Sequence, residues 1–227
     1  VSLGDSGALW VRFDAWVQHD DSHWELELAR SGTDHVVLHY RDRHGQWHQQ
    51  EAGDRLAVSQ WHSPDRYPVF TLDTRTQGPV RYWVRISHAR VPFSGEFWIH
   101  SHQNLREERI RQQFLIGAYF GMALLLSMVA LANGLVFRDS SFVAYAVYTG
   151  LLALTMAASL GVGGQFLWPD SVFWNSRAEF VLMPLLAMAG VLFVRHVVKA
   201  SRVDRRLDRM ARVLALAWIL LLAWDQL

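Results

Sequence analysis

The feature that most constrains this chain is an uncharged apolar run of twenty-four residues, Phe114–Phe137. At about 1.5 Å of rise per residue, a helix of that length crosses a hydrocarbon core of about 30 Å. After the short polar break Arg138-Asp139-Ser140-Ser141, a second uncharged run extends from Phe142 to about Gly164. Two long apolar runs joined by so short a link predict an antiparallel helical hairpin in the bilayer. Gln165-Phe166-Leu167-Trp168-Pro169-Asp170 then marks the return to the membrane surface.

Whole-chain averages hide this, because a net charge of +1 and a mean hydropathy near zero describe a soluble protein. Divided at Gln112, the chain separates into two. Residues 1–112 carry thirteen Lys/Arg against fifteen Asp/Glu and ten of the eleven histidines, whereas residues 113–227 carry nine against six. Two parts suited to two solvents are expected. No basic stripe in the first part suggests nucleic acid. Cysteine is absent, which excludes disulfides and thiolate metal sites. The chain begins at Val1 without an apolar leader and ends at Leu227 inside an apolar run, and it reads as an internal piece of a longer protein.

The first part alternates with a period of two. Leu9, Val11, Phe13, Ala15 and Val17 share one face, with Trp10, Arg12, Asp14 and Trp16 on the other. Further strands are expected at Trp24–Ala29, Val36–Tyr40, Trp47–Gln50, Tyr67–Leu72, Val80–Ser87 and Gly95–His100. The segments His19–Ser22, Asp42–Gly45, Gly53-Asp54 and Gln77–Pro79 supply turns. Seven or eight short strands without an amphipathic helix predict an all-β sandwich or jelly roll over residues 1–103. Asn104–Gln113 is polar, rich in helix formers and free of Gly and Pro. It is expected to be a helical linker, capped by Asn104 and continuous with the first membrane helix.

Residues 114–227 form the expected all-α membrane domain, with helices at about 114–137, 142–164, 178–198 and, cut off by the end of the chain, 212–227. Pro184 is expected to kink the third. Arg195–Arg212 holds seven Lys/Arg and two Asp, against one Arg in Leu167–Arg177. The positive-inside rule therefore puts the basic loop in the cytoplasm and the β-domain outside. Arg106, Arg109 and Arg111 run against that rule, and export of a long folded domain overrides them.

These residues also carry a resemblance. Gly117 and Gly121, Asn133, the Arg138-Asp139 turn, Tyr145 and Tyr148, Gly161, Gly164 and Gln165–Pro169 resemble the bacterial seven-transmembrane receptors with diverse intracellular signalling modules (7TMR-DISM). Trp10-Val11-Arg12-Phe13, Gly53-Asp54 and Pro68-Val69-Phe70 resemble that family's type 2 extracellular domain. Ala132-Asn133 departs from the family's usual Tyr-Asn. The resemblance implies that about four of seven helices lie in this fragment. It also implies a cytoplasmic output domain in cis, a diguanylate cyclase or a histidine kinase, beyond Leu227.

The β-domain holds seven tryptophans, which serve first as core and sheet-face residues. Trp61, in a Ser/Gln/His/Pro-rich loop, is expected to be the exposed one. Trp61, Trp47 and Arg66 are the candidate ligand-binding residues. The histidine pairs His35/His39, His44/His48 and His100/His102 share strand faces, but no third ligand is fixed by spacing, so no metal is expected. In the membrane part, Gly117, Gly121 and Asn133 are candidate packing residues of the bundle, with Ser127 a second polar group at membrane depth. Asp225 and Glu179 are too few acids for a proton relay.

No catalytic constellation is present: no phosphate loop, no His-Glu-x-x-His, no nucleophile elbow. The expected function is non-enzymatic and without a cofactor: the input half of a bacterial inner-membrane receptor, multi-pass, with a periplasmic N-terminal domain. Expected partners are a small-molecule or carbohydrate ligand, the lipid bilayer, the output domain and a second copy in a homodimer. The alternative is a transporter or membrane enzyme with an exterior accessory domain. It would need charged or broken helices near the midplane, which are largely missing.

Overall fold

The computed structural model describes residues 2–4, 7–16, 23–73, 78–89, 92–198, 206, 208–210, 213–214 and 217–218. The expected turn at His19–Ser22, Val17, most of the basic loop and the expected fourth helix, with Asp225, lie outside the described residues. The chain divides into two compact units. One holds Val1–Gln112 with Ser159–Ser176, and the other Gln113–Ala158 with Arg177–Leu227.

The first unit contains strands β1 (Leu9–Ala15), β2 (Trp24–Leu28), β3 (His35–Arg41), β4 (Trp47–Ala52), β5 (Val69–Thr71), β6 (Val80–Ser87) and β7 (Phe97–Ser101). All pair antiparallel, in a four-stranded sheet of order β1-β6-β3-β4 and a three-stranded sheet of order β5-β2-β7. The period-two pattern decides what is buried. Val36, Leu38, Tyr82, Val84 and Ile86 from the first sheet meet Leu26, Leu28 and Phe70 from the second in one apolar cluster. Leu9, Val11, Phe13 and Ala15 pack against that cluster, while Trp10 and Trp16 stand exposed on the other face.

Among the described residues, three helices are long and apolar enough to cross a membrane: α1 (His102–Phe137), α2 (Ser140–Ser159) and α3 (Val172–Val197). Each starts on a side-chain oxygen that satisfies an orphan backbone donor. Ser101 Oγ accepts from the N–H of Asn104 at 3.3 Å, Asp139 Oδ1 from Ser141 at 2.8 Å, and Ser171 Oγ from Trp174 at 3.3 Å. Asn104 thus receives a cap where the sequence suggested that it supplies one, because the helix begins directly after β7 and two residues sooner than expected. Arg138 adopts left-handed backbone, φ 50°, which turns the chain between α1 and α2. Pro184 lies inside α3. Between α2 and α3 the chain forms a π-helical turn at Gly163–Leu167.

Candidate functional site

The structure separates the three candidate ligand residues. Trp61 is not exposed: it is buried in the apolar cluster, and its indole Nε1 donates to the carbonyl of Gly53 at 3.2 Å. A loop tryptophan whose N–H finds a buried acceptor is worth more inside than out. Arg66 is buried too, at 4 % exposure, and its guanidinium donates to Gln112 Oε1. Trp47 alone is exposed, at 55 %.

Trp47 belongs to an aromatic platform on the outer face of the four-stranded sheet. Register sets Arg12 beside Trp83, Trp83 beside His39, and Arg41 beside Trp47. The Trp47 and Trp83 rings lie 5.2 Å apart, Trp10 stacks on His39 at 6.1 Å, and the Arg41 guanidinium covers Trp47 at 4.6 Å. Flat indole faces beside arginines suit stacking against a ring-shaped polar ligand.

A second feature was not legible in the sequence. A cavity of about 450 Å³ opens at one end of the β-domain, lined by His23, Tyr40, Asp42, Arg43, His44, His48, His62 and Asp73 among others. Asp42 organises its rim. One carboxylate oxygen accepts from the backbone N–H groups of His44 and Gln46 at 2.8 and 2.9 Å, and the other meets His48 Nε2 at 3.0 Å. The His48 bond, followed by those backbone donors, holds the Asp42 carboxyl below its ordinary value. Tyr40 stacks on His48 at 5.3 Å.

The third feature is a joint within the same unit. In β2, Leu26 and Leu28 face the core, so Glu25 and Glu27 face outward. The first turns of α1 lie on that outer face. His102 Nδ1 is 3.1 Å from Glu25 Oε1, Leu105 is buried, and Arg109 is buried between two carboxylates. Arg109 Nε donates to Asp65 Oδ2 at 2.7 Å, while its Nη2 faces Glu27 Oε1 at 3.1 Å, an ion contact poorly angled for a hydrogen bond. Burial works against the Arg109 charge, but Asp65 and then Glu27 outweigh it and raise its pKa. Tyr67 lies under both guanidiniums, 5.1 Å from Arg66 and 5.2 Å from Arg109.

The stretch that supplies Asp65, Arg66 and Tyr67 also grips the α2–α3 connection. Ser59 Oγ donates to Asp170 Oδ1 at 2.5 Å, and the Ser59 N–H points at the Pro169 carbonyl at 3.3 Å. Ser31 Oγ adds a 2.6 Å bond to the Ser159 carbonyl. Gly161 has φ +74°, and a Cβ there would sit 2.4 Å from the Arg66 carbonyl oxygen, so only glycine fits. Residues 57–67 therefore hold the base of α1 on one side and residues 159–170 on the other. His62, in the same stretch, lines the cavity.

In the second unit, a Cβ added at Gly117 or Gly121 would meet no atom within 4 Å among the described residues. At Gly134 of α1 a Cβ would lie 2.8 Å from the Val143 side chain of α2. Asn133 donates to the Val129 carbonyl of its own helix at 2.8 Å and lines a second cavity of about 550 Å³ with Asp139 and Tyr145.

Comparison with known families assigns both halves. A family model described as 7TM diverse intracellular signalling matches residues 112–226, and one described as 7TMR-DISM extracellular 2 matches residues 4–98. No curated protein and no solved structure matches the chain.

Proposed function

Since the chain belongs to the 7TM diverse intracellular signalling family and carries that family's type 2 extracellular domain ahead of its membrane region, we propose that it is the input portion of a bacterial inner-membrane receptor. The exterior β-domain binds a small ligand, and the helices carry occupancy to an output domain in the same polypeptide. A carbohydrate is the ligand class that the exposed Trp47 and Trp10 rings, with the half-buried Trp83 beside Trp47, favour, since indole faces stack on sugar rings.

The observation that carries the relay is the double grip of residues 57–67, through Asp65 and Arg66 on α1 and through Ser59 on Asp170. A ligand shifts an equilibrium only by its differential affinity for two states, so what it touches must connect to what moves. His62, between the two grips, lines a cavity together with His48, the residue after Trp47 in β4, and so joins both grips to the strand that carries the platform.

The test inserts two glycines between Glu108 and Arg109 in the chain joined to its cytoplasmic continuation. The insertion costs roughly 1 kcal/mol per glycine in helix propensity and moves Arg109 and Gln112 off their partners, so the β-domain's cooperative unfolding transition is checked beside export in the same chain. Loss of stimulus-dependent output with export retained is the expected result. Unchanged output would remove the relay.

A further inference from the structure

The outer face of the four-stranded sheet carries a sign that the rest of its domain does not. Residues 1–112 hold more Asp and Glu than basic residues, and every one of those basic residues is an arginine. On this face the alternation of β1, β6, β3 and β4 places Arg12, Arg81, Arg85 and Arg41 outward, against Asp14 and Glu51. Both carboxylates are already occupied. Asp14 accepts from Arg81 in two bonds of 2.8 and 3.1 Å, and Glu51 meets His35 at 3.1 Å and Gln49 at 3.2 Å. No carboxylate among the described residues lies in ion-pair contact with Arg12, Arg41 or Arg85. Three guanidiniums are left to meet a charge from outside.

Register interleaves these arginines with the indoles. Trp10 lies opposite Arg85, Arg12 opposite Trp83, and Arg41 opposite Trp47. The three tryptophans descend in a diagonal from β1 through β6 to β4, with Arg85 on one side of the line and Arg12 and Arg41 on the other. Three steps between strands and two two-residue steps along them make that diagonal roughly 20 Å long. Such a length exceeds one sugar ring and suits a short chain of them. A guanidinium is planar, weakly hydrated and able to hold a carboxylate through two parallel N–H groups, which a lysine cannot do. Arg41 is held against the Trp47 ring at 4.6 Å, and that contact keeps its donors at the platform.

From this arrangement we infer that the platform binds an acidic oligosaccharide, whose rings stack on the indoles while its carboxylates are received by Arg12, Arg41 and Arg85. This deepens the carbohydrate reading above and rests on it. The indoles hold the rings, and the arginines select a charged sugar over a neutral one, which would cover the guanidiniums and leave them without a counter-charge.

The experiment titrates the full chain, in nanodiscs of phosphatidylcholine, with tetragalacturonate at pH 7.5 and follows binding by calorimetry. Cellotetraose is the neutral control, and a single-stranded thymidine tetranucleotide is the anion that is not a sugar chain. One charge-assisted hydrogen bond is worth about tenfold in affinity. Tetragalacturonate should therefore bind at least about tenfold more tightly than cellotetraose, and added salt should narrow that gap. Arg12→Gln combined with Arg41→Gln should bring the acidic sugar down to the level of the neutral one, and both positions are exposed enough for the variant to fold. Cellotetraose bound as tightly as tetragalacturonate overturns the acidic class and leaves a carbohydrate platform standing. Equal binding of the tetranucleotide overturns a site for sugars and marks a surface for anions in general. A preference that survives the double variant puts the acidic ligand elsewhere and overturns the assignment to this face. Binding of neither sugar overturns this inference and the carbohydrate reading together, while the relay keeps its own test in the glycine insertion.

Discussion

Arg109 Nε lies 2.7 Å from Asp65 Oδ2, and the two side chains retain 9 % and 16 % of their exposure. A pair this far from solvent is hard to break from one side, because the partner left behind keeps its charge without compensation. Glu27 shares the same guanidinium at 3.1 Å, so loss of Arg109 strands two carboxylates.

Arg109→Met should therefore destabilise the exterior unit by about 3–5 kcal/mol. Urea unfolding followed by tryptophan fluorescence in detergent reads this. Glu27→Leu added to Arg109→Met should recover part of the loss. Strict additivity of the two single effects would mean that the contacts are not coupled.

Gly161→Ala tests the second grip. Left-handed backbone and a Cβ 2.4 Å from the Arg66 carbonyl should make alanine cost about 1–3 kcal/mol. The Ser159–Ser176 connection should loosen from the β-domain. Because the chain has no cysteine, Ser59→Cys with Asp170→Cys gives a clean reporter. Oxidation should join the pair, and Gly161→Ala should slow that reaction. Equal rates in both backgrounds would count against a grip at this glycine.

His88 predicts a pH dependence. Burial lowers its pKa, Asp34 opposes that shift and Arg30 adds to it. Its Nδ1 is 3.5 Å from Asp34, its Nε2 is 3.5 Å from Arg30, and its ring meets Phe93 edge-on. With the folded value below the unfolded one, the unfolded chain takes up the proton first. The stability linked to His88 is thus complete above the ordinary imidazole range and declines as pH falls through it. Unfolding midpoints measured at pH 8, 7, 6 and 5 should drop on the acid side, and His88→Gln should flatten that slope. A slope unchanged in the variant would assign it to other groups.

Orientation gives a further test. Gln46→Cys, in the exposed β3–β4 turn, should react with a membrane-impermeant thiol reagent in intact spheroplasts, and Arg206→Cys should be protected. The reverse pattern would invert the topology.

The two-sheet domain was legible because burial follows period two: Leu9, Val11 and Phe13 could only share a face, and that face is the one packed inward. The membrane helices were legible because lipid tolerates so few alternatives. Trp61 was misread as exposed because its polar neighbours in sequence suggest a surface loop, yet its indole finds the Gly53 carbonyl. Arg66 meets Gln112, forty-six residues away, and that contact has no local signal either. Asp65 and Arg109 stand forty-four apart and carry no local signal of their meeting. The cavity draws single histidines from separate strands and turns, so pair spacing pointed at His44 and His48 without showing what they surround.

Ser101 closes β7 and His102 opens α1, with no residue between them to absorb slack. A strand cannot roll about its own axis without dragging the ladder it shares with β2 from Trp24 to Leu28. The junction is a crank without backlash, with the sheet as its handle. The turns of α1 up to Gln112 belong to the same compact unit as that ladder, so β7 and the helix residues Arg109 and Gln112, which meet Asp65 and Arg66, shift together.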